Sequence, residues 1–376
     1  MRATRAVIHL DHLVHNLNEI RKLAGPDVRL CLPVKAAAYG HGAVPVAKCA
    51  LENGVSMLAV ATVDEGMELR AAGISAPVLL FSVPDDAELE ALARARLTPF
   101  VSEPRLVLQL EKAAAAVLSG GERLAVHLKV ETGMGRTGCA PDSAGVLAEV
   151  IRGCPHLALG GMATHFAAAD SLSEEDVRFT QDQLAEFLQA ADAVRAAGIN
   201  PGILHAAASA GALTLPAARL DMIRPGIAAY GYAPSGELAG RLDLRPVMEL
   251  QTEVTFVKDW PEGASVSYGR TWRASAPCRI ATLAVGYADG FRRSFSPGCS
   301  VEIHGVPCPV RGRICMDQCM VEIPPQAGNV VPGTPAVVFG PSPCRTSAAD
   351  LAALAGTIPY EITCGISHRV PRVYTG

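Results

Sequence analysis

Eight short apolar runs recur along the first two thirds of the chain, at about residues 28–35, 56–62, 76–83, 97–102, 124–130, 157–166, 203–208 and 222–230. Stretches with helical spacing of apolar residues separate them, among them 43–52, 63–72, 86–93, 104–118, 144–152 and 174–197. A further amphipathic stretch precedes the first run and places Leu10, Leu13, Val14, Leu17, Ile20 and Leu23 on one face. A strand followed each time by a helix predicts an α/β fold, and this many repeats predict a parallel (β/α)8 barrel over residues 1–244. The alternative, an open doubly wound sheet, loses its usual support because no G-x-G-x-x-G follows the first run.

A barrel makes a positional demand: chemistry should gather where the carboxyl ends of the strands feed the loops of one face. The polar outliers fall there. Lys35 ends the first run, and HLKVETGMGR (127–136) leaves the fifth. Thr164 and His165 close the sixth, Ser209 follows the seventh, and Arg224-Pro225-Gly226-Ile227 sits in the eighth. After Leu244 the texture changes to alternating or apolar runs between Gly and Pro breaks, at 248–260, 278–287, 300–310, 315–323 and 335–339. Residues 245–376 therefore read as a second, mainly β domain.

Several classes of function are disfavoured. A net charge of −4 without a basic stretch argues against nucleic acid. No apolar run reaches the length of a membrane span, and the amino terminus turns charged before a signal-like segment develops, so a cytoplasmic protein is expected. Eleven cysteines, an odd number spread through core-like segments such as those of Cys31, Cys139 and Cys278, suit reduced thiols better than a disulfide framework. Cys315 and Cys319 lack a second ligand pair, and of His9, His12 and His15 the latter two flank an apolar helical stripe, as solvated or packed histidines do, so no metal is expected.

Lys35 is the pivot of the chemistry. A lysine emerging from a buried strand is desolvated, which disfavours its ammonium form and makes its amine available as a nucleophile toward an aldehyde cofactor. The surrounding string, PVKAAAYGHG, resembles the lysine motif of the alanine racemase family. That resemblance implies pyridoxal 5'-phosphate (PLP) held covalently by Lys35, with Tyr39 on its phosphate. It continues through VHLKVETGMGRTG, THFAAAD, HAAASAG and RPGIAAYG. By that likeness Arg136 would meet the cofactor's phenolic oxygen and the substrate, supported by Lys129, in some relatives as a carbamate. His165 would neighbour the ring, and Ser209, Gly226 and Ile227 would bind the phosphate. Arg224 would face the pyridine nitrogen.

The second domain carries VSYGRTW, VGYADGFRR and GRICMDQCMV, which resemble further elements of the same family. Racemisation removes a proton from one face and returns it on the other, so two acid/bases are needed. The resemblance implies Lys35 and Tyr268 in those roles. It also implies Tyr287, Met316 and Asp317 near the substrate, with the second-domain residues supplied by the partner subunit of a head-to-tail homodimer. The family's product, D-alanine, is a cell-wall precursor. Three positions depart from the family pattern: Ala37 for Asn or Asp, Ala208 for Asn, and His368 where a tyrosine that contacts the phosphate is expected. Glu131 also replaces the usual Asp. The expectation is a PLP-dependent alanine racemase; a serine or broader racemase is the alternative. A barrel-type PLP decarboxylase would place an acid where Arg224 stands, and a non-catalytic PLP carrier would lack the β domain.

Overall fold

A computed structural model describes residues 3–376. The first strand, β1 (Arg5–His9), leads into an amphipathic helix (Leu10–Ala24) that buries Leu13, Leu17, Ile20 and Ala24. The barrel follows: β2 (Arg29–Pro33), β3 (Met57–Val60), β4 (Val78–Leu80), β5 (Thr98–Val101), β6 (Leu124–Lys129), β7 (Leu157–Ala163), β8 (Ile203–His205) and β9 (Met222–Ile223). Each is parallel to the next, and β9 returns to β2. Closure between β8 and β9 rests on a parallel bridge from Ala208 to Arg224, with Arg224 N–H donating to Ala207 O at 2.9 Å. Closure thus draws the Ser209 and Arg224 segments together.

The strands are covered on both faces, which is why they read as continuous apolar runs rather than alternating ones. Cys31, Met57, Ala59, Leu79, Phe100, Ala163 and Met222 pack together as an inner cluster. Their neighbours along the strands, such as Leu30, Leu32 and Leu58, face outward into the larger core. Local signals fix the helix starts. Thr62 and Glu65 form a capping box at Val63–Ala71, Ser173 caps Glu174–Ala196, and Pro104 opens Pro104–Val117. The eighth run is shorter than its apolar length predicts: β9 stops at Ile223, because Pro225 has no N–H to donate to a ladder and residues 227–231 turn back.

The second domain is mainly β, built on the long strand β10 (Met248–Trp260). It pairs with Cys278–Leu283 and with Pro335–Phe339, both antiparallel. β1 lies in this second sheet, antiparallel to β10 and parallel to Arg372–Thr375. The strand's burial is met by β10 rather than by the barrel, a pairing across the length of the chain that no local pattern reports. His9, His12 and His15 bind the chain around the start of β10: His9 pairs with Glu249 inside the second sheet, His12 with Pro246 O, and His15 with Asp243. Among the described residues no group of candidate metal ligands assembles and no helix is long and apolar enough to cross a membrane. The cysteines carry free thiols.

Candidate active site

A cavity of about 900 Å3 opens at the carboxyl ends of the barrel strands. Lys35, Tyr39, Arg136, His165, Ser209, Arg224 and Gly226 line it, as do Lys129 and Ala208. The site expected from the first domain is therefore gathered in one place, with Ile227 buried directly behind Gly226.

Lys35 sits at the end of β2 on an unusual support. Ala36, Ala37, Ala38 and Tyr39 all have φ between 51° and 54°, so the chain makes a left-handed turn. Such a turn costs roughly 1–2 kcal/mol per L-residue and persists only where its surroundings hold it. Here Glu65 accepts from Ala36 N at 2.6 Å and from Ala61 N at 2.7 Å, joining the turn to the next strand's loop. Buried His41 holds the far side, with Nδ1 2.9 Å from Ala38 O and 3.0 Å from Tyr39 O. Ala37 lies within this turn, where asparagine would meet less steric cost. The Lys35 amine approaches the Phe81 ring, 5.6 Å from its centroid. Burial, then the Arg136 charge, pulls its pKa below the usual lysine value, against weaker opposition from Glu65 and Cys364.

Arg224 is buried and multiply tethered. It donates to His205 O at 3.0 Å, Ala206 O at 2.8 Å, Thr164 O at 2.9 Å and His165 Nδ1 at 3.2 Å. No carboxylate pairs with it among the described residues. Burial lowers its pKa to about 10, so it remains a cation at neutral pH. Lys129 is also buried, and burial together with Arg224 brings its pKa down to about 7. His165 is pushed down to about 3, first by burial and then by the surrounding cations, so its imidazole is neutral. Since Arg224 only donates, His165 Nδ1 accepts and its proton belongs on Nε2. Glu131, the departure from aspartate, organises the loop before Arg136: it accepts from Gly133 N and Met134 N at 2.6 Å and from Arg136 N at 3.2 Å.

The other end of the cavity is aromatic and rich in donors. Tyr39 stacks on Tyr230, with ring centroids 4.8 Å apart, and meets Tyr360 at a tilt, 5.8 Å away; burial raises its pKa, so it stays a phenol. A Cβ on Gly226 would stand 2.9 Å from the Tyr39 hydroxyl, a gap that glycine leaves open. Gly226 and Ile227 N–H donate to no protein oxygen among the described residues, and Ser209 Oγ accepts from Ala228 N at 3.3 Å. Lysine and arginine charges, free backbone donors and phenols together fit a phosphorylated anionic ligand.

Not every expected residue is here. Tyr268 is 68 % exposed, and Tyr287, Met316 and Asp317 also lie outside the cavity of their own chain. His368 is likewise exposed and outside the cavity of its own chain, whereas Tyr360, eight residues earlier, lines it beside Tyr39. Tyr360 stands on the short helix Pro359–Cys364. Phe81, Phe100 and Tyr360 line the cavity without having been singled out in the sequence, because a core aromatic and a site aromatic carry the same local pattern.

Known proteins resemble this chain over its whole length. The chain is 46% identical to alanine racemase of Treponema denticola, over all of this chain and 98% of that protein. It is 45% identical to alanine racemase of Treponema pallidum, with both chains covered in full. The solved alanine racemase of Clostridium difficile superposes with a TM-score of 0.93 at 38% identity, covering all of this chain and 96% of that one. Residues 8–234 match the alanine racemase N-terminal domain and residues 247–374 the alanine racemase C-terminal domain, and the chain belongs to the alanine racemase family.

Proposed function

We propose that this protein is a PLP-dependent alanine racemase interconverting L- and D-alanine, working in the cytoplasm as a head-to-tail homodimer. The observation that carries the reading is the meeting of Lys35, Arg136, His165 and Arg224 in one cavity while Tyr268 stands exposed outside it. When bound, PLP supplies an electron sink conjugated to the substrate's Cα. The residues present fit it. Lys35 would hold it covalently, and Tyr39, Ser209, Gly226 and Ile227 would hold its phosphate. Arg136, supported by Lys129, would take its phenolic oxygen, and Arg224 its ring nitrogen.

The chain's own groups then divide the work. The lowered pKa of Lys35 favours an amine that can accept a proton on one face of the substrate. The partner's Tyr268 returns a proton on the other face. Arg224 keeps its proton at neutral pH, so a ring nitrogen facing it would receive a hydrogen bond and no proton, which would restrain decarboxylation and transamination. The partner's Met316 N–H, Asp317 and Tyr287 complete the substrate entrance. The test is borohydride reduction of the yellow protein followed by peptide mapping, together with chiral analysis of product from L-alanine. An adduct on Lys35 and formation of D-alanine are expected. An adduct elsewhere, or no D-alanine, overturns the reading.

A further inference from the structure

Arg369 has no place in the chemistry above, yet it ties together two loops expected to serve the partner's cavity. Its Nε donates to Asp289 Oδ1 and its Nη2 to Asp317 Oδ1, both at 2.7 Å. Asp289 is fully buried, and its other oxygen accepts from Gly286 N at 3.0 Å, closing the turn that carries Tyr287. Asp317 follows Met316 on the neighbouring loop. The two loops also meet through the backbone: Tyr287 N donates to Cys315 O and Ala288 N to Met316 O, both at 3.0 Å. A Cβ on Gly286 would lie 2.4 Å from the oxygens of Cys315 and Met316, so only glycine permits this approach. With Met316 O engaged, Met316 N–H is left without an acceptor among the described residues, on a residue 53% exposed.

We infer that Arg369 is a positioning residue that, through Asp289 and Asp317, holds Tyr287 and the Met316 N–H in register for the substrate carboxylate in the partner's cavity. This rests on the racemase reading. A guanidinium can serve two carboxylates at once in fixed geometry, and an ammonium cannot reproduce both directions. Because the carboxylate is held alike before and during proton transfer, loss of the clamp should weaken binding without slowing the chemical step.

The experiment uses the PLP-loaded dimer and the variants Arg369→Met, Arg369→Lys, Asp317→Asn and the double variant Arg369→Met/Asp317→Asn. For Arg369→Met, KM for L-alanine should rise about tenfold with kcat within about twofold, and Arg369→Lys should recover part of the loss. The dissociation constant for propionate, an alanine without its amine, should rise in parallel by calorimetry. Asp317→Asn, at an exposed position, should give a similar shift even if Arg369→Met fails to fold, and the double variant should be no worse than the worse single one. An unchanged KM, a loss confined to kcat, or additive effects in the double variant would overturn the inference. Wild-type protein that forms no D-alanine sinks the racemase reading instead, while propionate affinity still tests the clamp without turnover.

Discussion

Arg224 Nη1 lies 2.9 Å from His205 Nδ1, and His205 Nε2 lies 2.8 Å from His127 Nδ1. A guanidinium has donors only, so the direction of the whole chain follows: His205 accepts at Nδ1, carries its proton on Nε2 and donates it to His127. Burial, then the Arg224 charge, holds His127 down near a pKa of about 4 and His205 well below its usual value, so both rings are neutral. The cation at the base of the cavity is thus steadied by two aligned neutral imidazoles and a set of carbonyls. His127→Leu removes the last acceptor and strands the His205 N–H in the barrel core. A loss of about 1–3 kcal/mol in stability is expected, read as a lower denaturant midpoint.

Lys129 should give the cofactor-free protein a pH-dependent stability. Its folded pKa of about 7 lies below the unfolded value of about 10.4. Between those values the unfolded chain binds the extra proton, so the folded state gains as pH rises. The penalty is fully present below pH 7 and is relieved progressively above it. Comparing wild type with Lys129→Met between about pH 7 and 9 should show that the wild type's relative stability climbs by on the order of 1–2 kcal/mol. Parallel profiles would show that Lys129 remains charged in the fold.

Lys35→Ala and Tyr268→Phe should each be inactive and should complement each other. If a site takes Lys35 from one chain and Tyr268 from the other, a mixed dimer has one doubly damaged site and one intact site. Subunit exchange of an equal mixture should restore about a quarter of wild-type activity. Verified mixed dimers that stay dead would refute the shared site.

Tyr360 and His368 should separate cleanly. The Tyr360 phenol, its pKa raised to about 12 by burial, is a hydroxyl donor beside Tyr39. Tyr360→Phe should weaken PLP retention about tenfold, as expected for one lost hydrogen bond to a charged group. His368→Ala should leave retention unchanged, and equilibrium dialysis of both variants decides between them.

The chain's own pattern was enough for the barrel. Strands buried on both faces must be apolar throughout, and helices packed on one side must be amphipathic, so β2 to β9 and the helices between them are written locally. Lys35, His165, Ser209 and Arg224 were legible too, since a charged or polar group at the end of an apolar run stands out against its neighbours. Three features depended on contacts between distant segments. β1 joins the second sheet because its partners, β10 and Arg372–Thr375, lie hundreds of residues away. The left-handed turn at 36–39 opposes the intrinsic preference of alanine and exists only because Glu65 and His41 hold it. Tyr360 enters the cavity because the second domain folds Pro359–Cys364 against Tyr39, whereas His368, in the loop just beyond, stays in solvent. Local periodicity reports which face of an element is buried, but only the tertiary structure decides which distant element buries it.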